Sequence, residues 1–410
     1  MEPKLVQNQQ QVIKVKSRFS VIMGAVFLMA TSAIGPGFLT QTTVFTEAFV
    51  SNFAFAILAS IIIDIGIQLN VWRVISISGM LGQDVANTVC KGLGSVIAIL
   101  IVMGGLAFNI GNIAGAAMGM NVMFNIDLVT GAILSALIAV AVFAFKEAGK
   151  AMDTISQTLG VIMLLMVLYT MLTTHPPVGE AAIKSLFPDD YGALMFPTIT
   201  LIGGTVGGYI TFAGAHRLLD AGITGKNSLK DINKSATTGI LVTGIMRVGL
   251  FLAALGVVYA GHKLDPANPP ASVFQFALGD VGYKVFGIIL WSAALTSVIG
   301  AAYTSVSFLR SFHANIRKYN NYIIIGFIIF STLVFVLIGR PVTILVIVGS
   351  LNGLILPLSL GAILLATRNK KVVGEGYYHP VWMTIMGILA LVITTVAGIM
   401  SLDAIAKMWG

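Results

Sequence analysis

The sequence predicts an all-α polytopic membrane protein with eleven transmembrane helices, and three observations carry that expectation. Hydrophobic residues make up 57% of the 410 residues and charged residues only 10%, with a mean hydropathy of +0.94. The apolar residues gather into runs long enough to cross a bilayer, which takes about 20 residues each. The Lys and Arg residues between runs favour alternate connections, as the positive-inside rule requires.

The elements follow in order. Residues 1–19 form a polar tail, "MEPKLVQNQQQVIKVKSR" and the residue after it, with no apolar h-region and cleavage site, so no cleaved signal peptide is expected. Spans are then expected at about 20–48, 51–74, 93–119, 127–145, 153–174, 191–219, 235–260, 281–311, 321–339, 341–367 and 381–402. Of the 24 Lys and Arg, eighteen fall on the side of the N-terminus and five on the other. Arg247 alone lies inside a span. The tail is therefore expected in the cytoplasm and the C-terminus outside. The net charge of +8 is read as topology, not as affinity for nucleic acid.

Two runs are interrupted. In "TSAIGPGFLTQT", residues 31–42, Pro36 stands between two glycines mid-run, lacking an N–H and clashing with the preceding turn. In "LIGGTVGGYITF", residues 201–212, Gly203, Gly204, Gly207 and Gly208 each weaken a helix by about 1 kcal/mol relative to Ala. Taken singly, these are a proline kink and a close-packing stripe. Together they fall in the first and sixth spans, which run in opposite directions. That is the pattern of a five-plus-five inverted repeat with a midplane site between two discontinuous helices. The repeats are expected over about 20–174 and about 191–367, with an extra helix over about 381–404, all within one transmembrane domain, 20–410.

Other chemistries are excluded by what the sequence lacks. One cysteine, Cys90, permits neither an intramolecular disulfide nor a cysteine metal cluster. There is no HExxH, GxSxG or nucleotide-binding loop, so an enzyme is not expected. Asp64 is the one acid in mid-span, and Arg247 lies in the symmetry-equivalent span of the second repeat. Unpaired charge at that depth costs several kcal/mol, so the two are expected to pair, directly or through water. The rival is an Asp64 that lines an ion path.

The two broken runs and "GAAMGMNVMF", residues 115–124, resemble the NRAMP divalent-metal transporters along nearly the whole chain. That resemblance implies a LeuT-type fold and proton-coupled uptake of transition metals. The family's first-span motif is Asp-Pro-Gly-Asn; Gly35 stands at the Asp ligand and Phe38 at the Asn ligand, with Pro36 and Gly37 kept. In the sixth span Gly204 matches the alanine whose carbonyl binds metal, and Gly207 matches the methionine ligand. Gly208 falls at the proline and Tyr209 at the histidine. Asn109 and Asn112 stand where two proton-path acids would be.

A relative without side-chain ligands is similar to the NRAMP-related magnesium transporters of prokaryotes. A thioether selects soft metals, while Mg²⁺ takes hard oxygen ligands and sheds water reluctantly. The resemblance implies uptake of Mg²⁺, and also Mn²⁺, as a largely hydrated ion in a widened site, uncoupled from protons. Thr40, Gln41, Thr205, Tyr209, Ser350 and Asn352 are the polar side chains expected near it, with carbonyls by Gly35 and Gly204. Thr and Ser in membrane helices also bond back to their own carbonyls, and Asn352 would serve as well in an interhelical hydrogen bond. The ion is substrate; no cofactor and no obligate protein partner beyond the lipid bilayer is expected. A proton-coupled Mn/Fe transporter and an amino-acid transporter of the same architecture are the alternatives, the latter because "IGPGF" also suits a half-helix that holds a carboxylate.

Overall fold

The computed structural model describes residues 18–144, 146–310 and 312–409, so the expected tail lies outside them up to residue 17. Helices α1 (Arg18–Ala33) and α2 (Pro36–Phe49) make the first run, α3 (Phe53–Ser78) the second, and the short α4 (Gly82–Val89) leads into the third, α5 (Leu93–Phe124). Next come α6 (Leu128–Ala144), α7 (Lys146–Thr174) and the short α8 (Val178–Lys184). The sixth run is again two helices, α9 (Met195–Val206) and α10 (Ile210–Asp220). The rest are α11 (Leu229–Tyr259), α12 (Pro269–Leu309), α13 (Ala314–Lys318), α14 (Asn320–Ile338), α15 (Pro341–Ala366), α16 (Lys370–Val373) and α17 (Val381–Trp409).

Each apolar run is helical, but eleven spans are not reached on length and apolarity. By that measure the described residues hold eight membrane-crossing helices, or nine if Thr158–Thr174 and Val178–Lys184, bent by 106°, count as one. Two features lower the number. Helix α6 has 17 residues, just short of a span. The stretch Pro36–Ser78 counts once at 43 residues, although Val50 breaks it with φ 48°. As one rod it would reach about 65 Å, roughly twice the hydrocarbon thickness.

Small residues set the closest helix approaches. A Cβ on Gly119 of α5 would lie 2.7 Å from the Trp291 backbone nitrogen of α12. Between α9 and α15, a Cβ on Gly349 would lie 2.6 Å from the Thr200 carbonyl oxygen. Such backbone contact is how membrane helices gain packing energy without a hydrophobic drive. Helix α12 starts earlier than its apolar run, at Pro269, because Asn268 caps it through its side chain to Ala271 N at 3.3 Å. A left-handed Gly279, φ 66°, then kinks it. On the other flank of the sixth run, the buried Trp72 of α3 donates from Nε1 to the Thr211 carbonyl of α10 at 2.9 Å.

Candidate functional site

Both breaks are as expected from the sequence, and their backbone is left open. In the first, the last bond of α1 runs from Ile34 N to Ala30 O at 2.8 Å, and Leu39 N to Gly35 O at 3.3 Å opens α2. Pro36 between them brings no donor. In the second, Gly207 N to Gly203 O at 3.1 Å closes α9, and Ile210 N to Gly207 O at 3.2 Å restarts the ladder. The carbonyls of Gly204, Thr205 and Val206 have no backbone donor, and the N–H groups of Gly208 and Tyr209 no backbone acceptor. Gly208 makes the turn possible with φ 55°.

Polar side chains from four helices close on these breaks. Gln41 of α2 is fully buried and donates from Nε2 to Leu345 O of α15 at 2.8 Å. Its Oε1 has no partner and faces Gly204, whose Cβ would lie 2.7 Å away. Asn352 of α15 donates from Nδ2 to Gly104 O of α5 at 3.2 Å and to Val348 O at 2.9 Å. Its Oδ1 is unpartnered and points at Gly208, where a Cβ would crowd the amide carbon at 3.1 Å. Ser297 of α12 faces the first break, with Oγ unpartnered and 3.3 Å from where a Gly35 Cβ would be. Asn112 of α5 stands beside it, Oδ1 3.6 Å from the same point and Nδ2 unpartnered.

Buried polar atoms in native proteins are nearly always satisfied, so the four unpartnered ones at these two helix breaks are the candidates for a site. Three of these groups are oxygens, and all are neutral. Among the described residues no group of three or more His, Cys, Asp or Glu is placed to hold a metal.

The two asparagines expected to stand in place of acids divide. Asn112 joins the break, whereas Asn109 donates from Nδ2 to Ser331 Oγ of α14 at 3.0 Å. Several expected residues are also engaged elsewhere. Phe38 brings no ligand atom; its ring lies beneath the Arg247 guanidinium, 4.3 Å from centroid to Cζ. Gly207 is not open space, since a Cβ there would lie 2.7 Å from Gly203 Cα and 2.9 Å from Asn352 Cβ. The widening expected from the loss of a side chain at that position is therefore absent. Ser350 is taken up by Thr200 at 2.6 Å. Tyr209 is buried edge-on to Phe108, and the Thr40 hydroxyl is buried without a partner. His216, in α10, accepts from Gly82 N at 3.1 Å.

Asp64 of α3 and Arg247 of α11 are both buried, at 1% and 2% exposure. No direct ion pair joins them. Arg247 Nη1 donates instead to Thr205 Oγ1 at 2.9 Å, and the Asp64 carboxylate lies within electrostatic reach of the guanidinium. Thr205 itself donates back to Leu201 O at 2.8 Å. Asp64 Oδ1 and Arg247 Nε and Nη2 have no partner. Ser297 is the site residue the sequence did not mark. Its neighbour Thr296 bonds back to Ser292 O at 3.1 Å, and nothing in "LTSVIG" separates that ordinary hydroxyl from the one facing a break.

Two discontinuous helices facing each other across a buried polar centre define a multi-span membrane protein of the transporter type. The chain belongs to the Nramp family: the model for natural resistance-associated macrophage protein-like sequences matches residues 26–403. An uncharacterized membrane protein of Bacillus subtilis is 55% identical over 404 residues, covering 98% of this chain and 99% of that one. Another, from Haemophilus influenzae, is 50% identical over 379 residues, 92% and 95% of the two chains. Among solved structures, a manganese transporter of Eremococcus coleocola superposes with a TM-score of 0.74 at 14% identity, over 96% of this chain and 88% of that one. MhsT in complex with L-phenylalanine superposes with a TM-score of 0.69 at 16% identity, over 95% and 99%. At such identities the likeness is one of fold.

Proposed function

We propose that this protein carries a divalent metal cation, Mg²⁺ and also Mn²⁺, across a prokaryotic plasma membrane. The observation that carries the reading is the trio of buried, unpartnered oxygens at the breaks: Gln41 Oε1, Asn352 Oδ1 and Ser297 Oγ. Hard neutral oxygens suit Mg²⁺ and Mn²⁺ and give soft metals no advantage. The open carbonyls of Gly204, Thr205 and Val206, at the negative end of α9, add to the same charge preference. With no carboxylate at the break, the ion keeps most of its water, and the protein oxygens act mainly on that shell.

Uptake is uncoupled from protons. Asn109 and Asn112 carry no titratable proton, and no mid-span histidine or acid other than Asp64 is available for a relay. The membrane potential suffices as driving force, supplying about 4.6 kcal/mol per 100 mV to a divalent ion. The eleven helical runs form a LeuT-type five-plus-five bundle with the N-terminus inside. Reconstitution into proteoliposomes tests the reading: Mg²⁺ or Mn²⁺ influx that follows potential and leaves an internal pH dye unchanged is the expected result. Metal-dependent acidification would replace it with the proton-coupled alternative.

A second reading has its own observation. The N–H groups of Gly208 and Tyr209 and the Asn112 amide nitrogen are donors without acceptors at the same breaks. They suit the carboxylate of a small amino acid. Saturable uptake of a labelled amino acid, with no metal flux, would favour it.

A further inference from the structure

We propose that Asp64 and Arg247 set the sign of the charge that the site between the broken helices accepts. The proposal rests on the metal reading above. Arg247 touches both discontinuous helices next to their breaks. It donates to Thr205, adjacent to Gly204, and covers the ring of Phe38, three residues after Gly35. A buried guanidinium at that place repels a cation in the site unless another charge cancels it, because screening by water is weak there. Asp64, buried on α3 within electrostatic reach of the guanidinium, is the acid that does so. The pair is not collapsed into a direct salt bridge. Asp64 Oδ1 and two guanidinium nitrogens remain unpartnered, so each charge still acts on its surroundings.

The arrangement makes Asp64 a positioning residue in the electrostatic sense: it touches no ion, and it decides whether Arg247 is felt at the breaks. Neutralising it leaves a positive site; neutralising Arg247 leaves a negative one. A purely structural pair would respond alike to both losses, since each strands one buried charge.

The test is binding of Mn²⁺ and Mg²⁺ to the purified full-length protein, by calorimetry, with melting temperature recorded for each variant. Asp64→Asn should weaken both ions by at least about tenfold. Arg247→Gln should tighten them, and Asp64→Asn combined with Arg247→Gln should return affinity to within a few-fold of wild type. Asp64→Glu should bind like wild type. If Asp64→Asn fails to fold, the Arg247→Gln arm alone decides. Weaker or equal binding in Arg247→Gln overturns the inference while leaving the metal reading in place. Absence of any Mn²⁺ or Mg²⁺ binding to wild type removes both. Opposite signs, with Asp64→Asn gaining and Arg247→Gln losing affinity for a labelled amino acid, would move the site to the anionic class.

Discussion

His379 donates from Nε2 to Asn70 Oδ1 at 2.9 Å, and the rest of Asn70 fixes that direction. Both Asn70 Nδ2 protons are used, on Gly66 O and Met383 O at 2.8 Å each, so Oδ1 must accept. The Nδ1 of His379 then accepts from the Tyr377 hydroxyl at 2.9 Å, whose oxygen accepts from Arg73 Nε at 2.8 Å. The chain ties the segment before α17 to α3, and it works only with a neutral imidazole.

Burial, then the nearby Arg73 charge, holds the His379 pKa down at about 4 from the ordinary 6.5. Between those values the unfolded chain binds the proton and the folded one does not, so stability rises with pH across that window. The contribution is complete above the unfolded value and lost as pH falls through the folded one. Melting of the detergent-solubilised protein should drop between pH 7 and pH 4.5, and His379→Gln should flatten that part of the profile. An unchanged slope would show that the chain is not coupled to folding.

Gly35 and Gly207 should differ sharply as sites for restoring ligands. A Cβ at Gly35 meets only Ser297 Oγ at 3.3 Å and Asn112 Oδ1 at 3.6 Å, whereas one at Gly207 meets backbone. Gly35→Asp is expected to fold, and to raise Mn²⁺ and Mg²⁺ affinity by at least about tenfold through an added carboxylate. Gly207→Met should cost about 1–3 kcal/mol or more, as overpacking does, and gain no selectivity for Mn²⁺. Melting curves and competition calorimetry on the two variants provide the check.

Asn112 and Asn109 should likewise separate. Asn112→Asp introduces a carboxyl beside Gly35 and should make metal binding stronger and dependent on pH. Asn109→Asp places its carboxyl against Ser331 and should affect affinity much less. Equal gains from both would mean that α5 turns relative to the break.

Gly214→Ala should destabilise the resting protein without touching the breaks. A Cβ there would overlap the Trp72 ring and lie 3.2 Å from Ala25 O. A loss of about 1–3 kcal/mol is expected, seen as a lower melting temperature.

The helices were legible because bilayer thickness and hydrogen-bond satisfaction leave few choices for an apolar run. Both breaks were legible for the same reason, since proline and clustered glycines act on the backbone locally. The start of α12 was hidden, because Asn268, Pro269 and Pro270 in a polar stretch read as a loop until the side-chain cap at Asn268 is visible. At the site, Gln41, Asn112 and Asn352 converge as polar residues in apolar helices should. Phe38 joins them only as a ring under Arg247, and a family motif specifies position without specifying chemistry. Ser297 was illegible, because a hydroxyl in a membrane helix has a local acceptor by default.

The bond from Trp72 to the Thr211 carbonyl links a continuous helix to the half-helix beyond the second break. Any tilt of α10 stretches that bond and alters the polarity around a fully buried indole. With Trp291, Trp382 and Trp409 replaced by Phe, the remaining Trp72 is an optical gauge built into the chain: its emission should shift if the half-helix swings, so a movement of α10 can be followed without attaching a label.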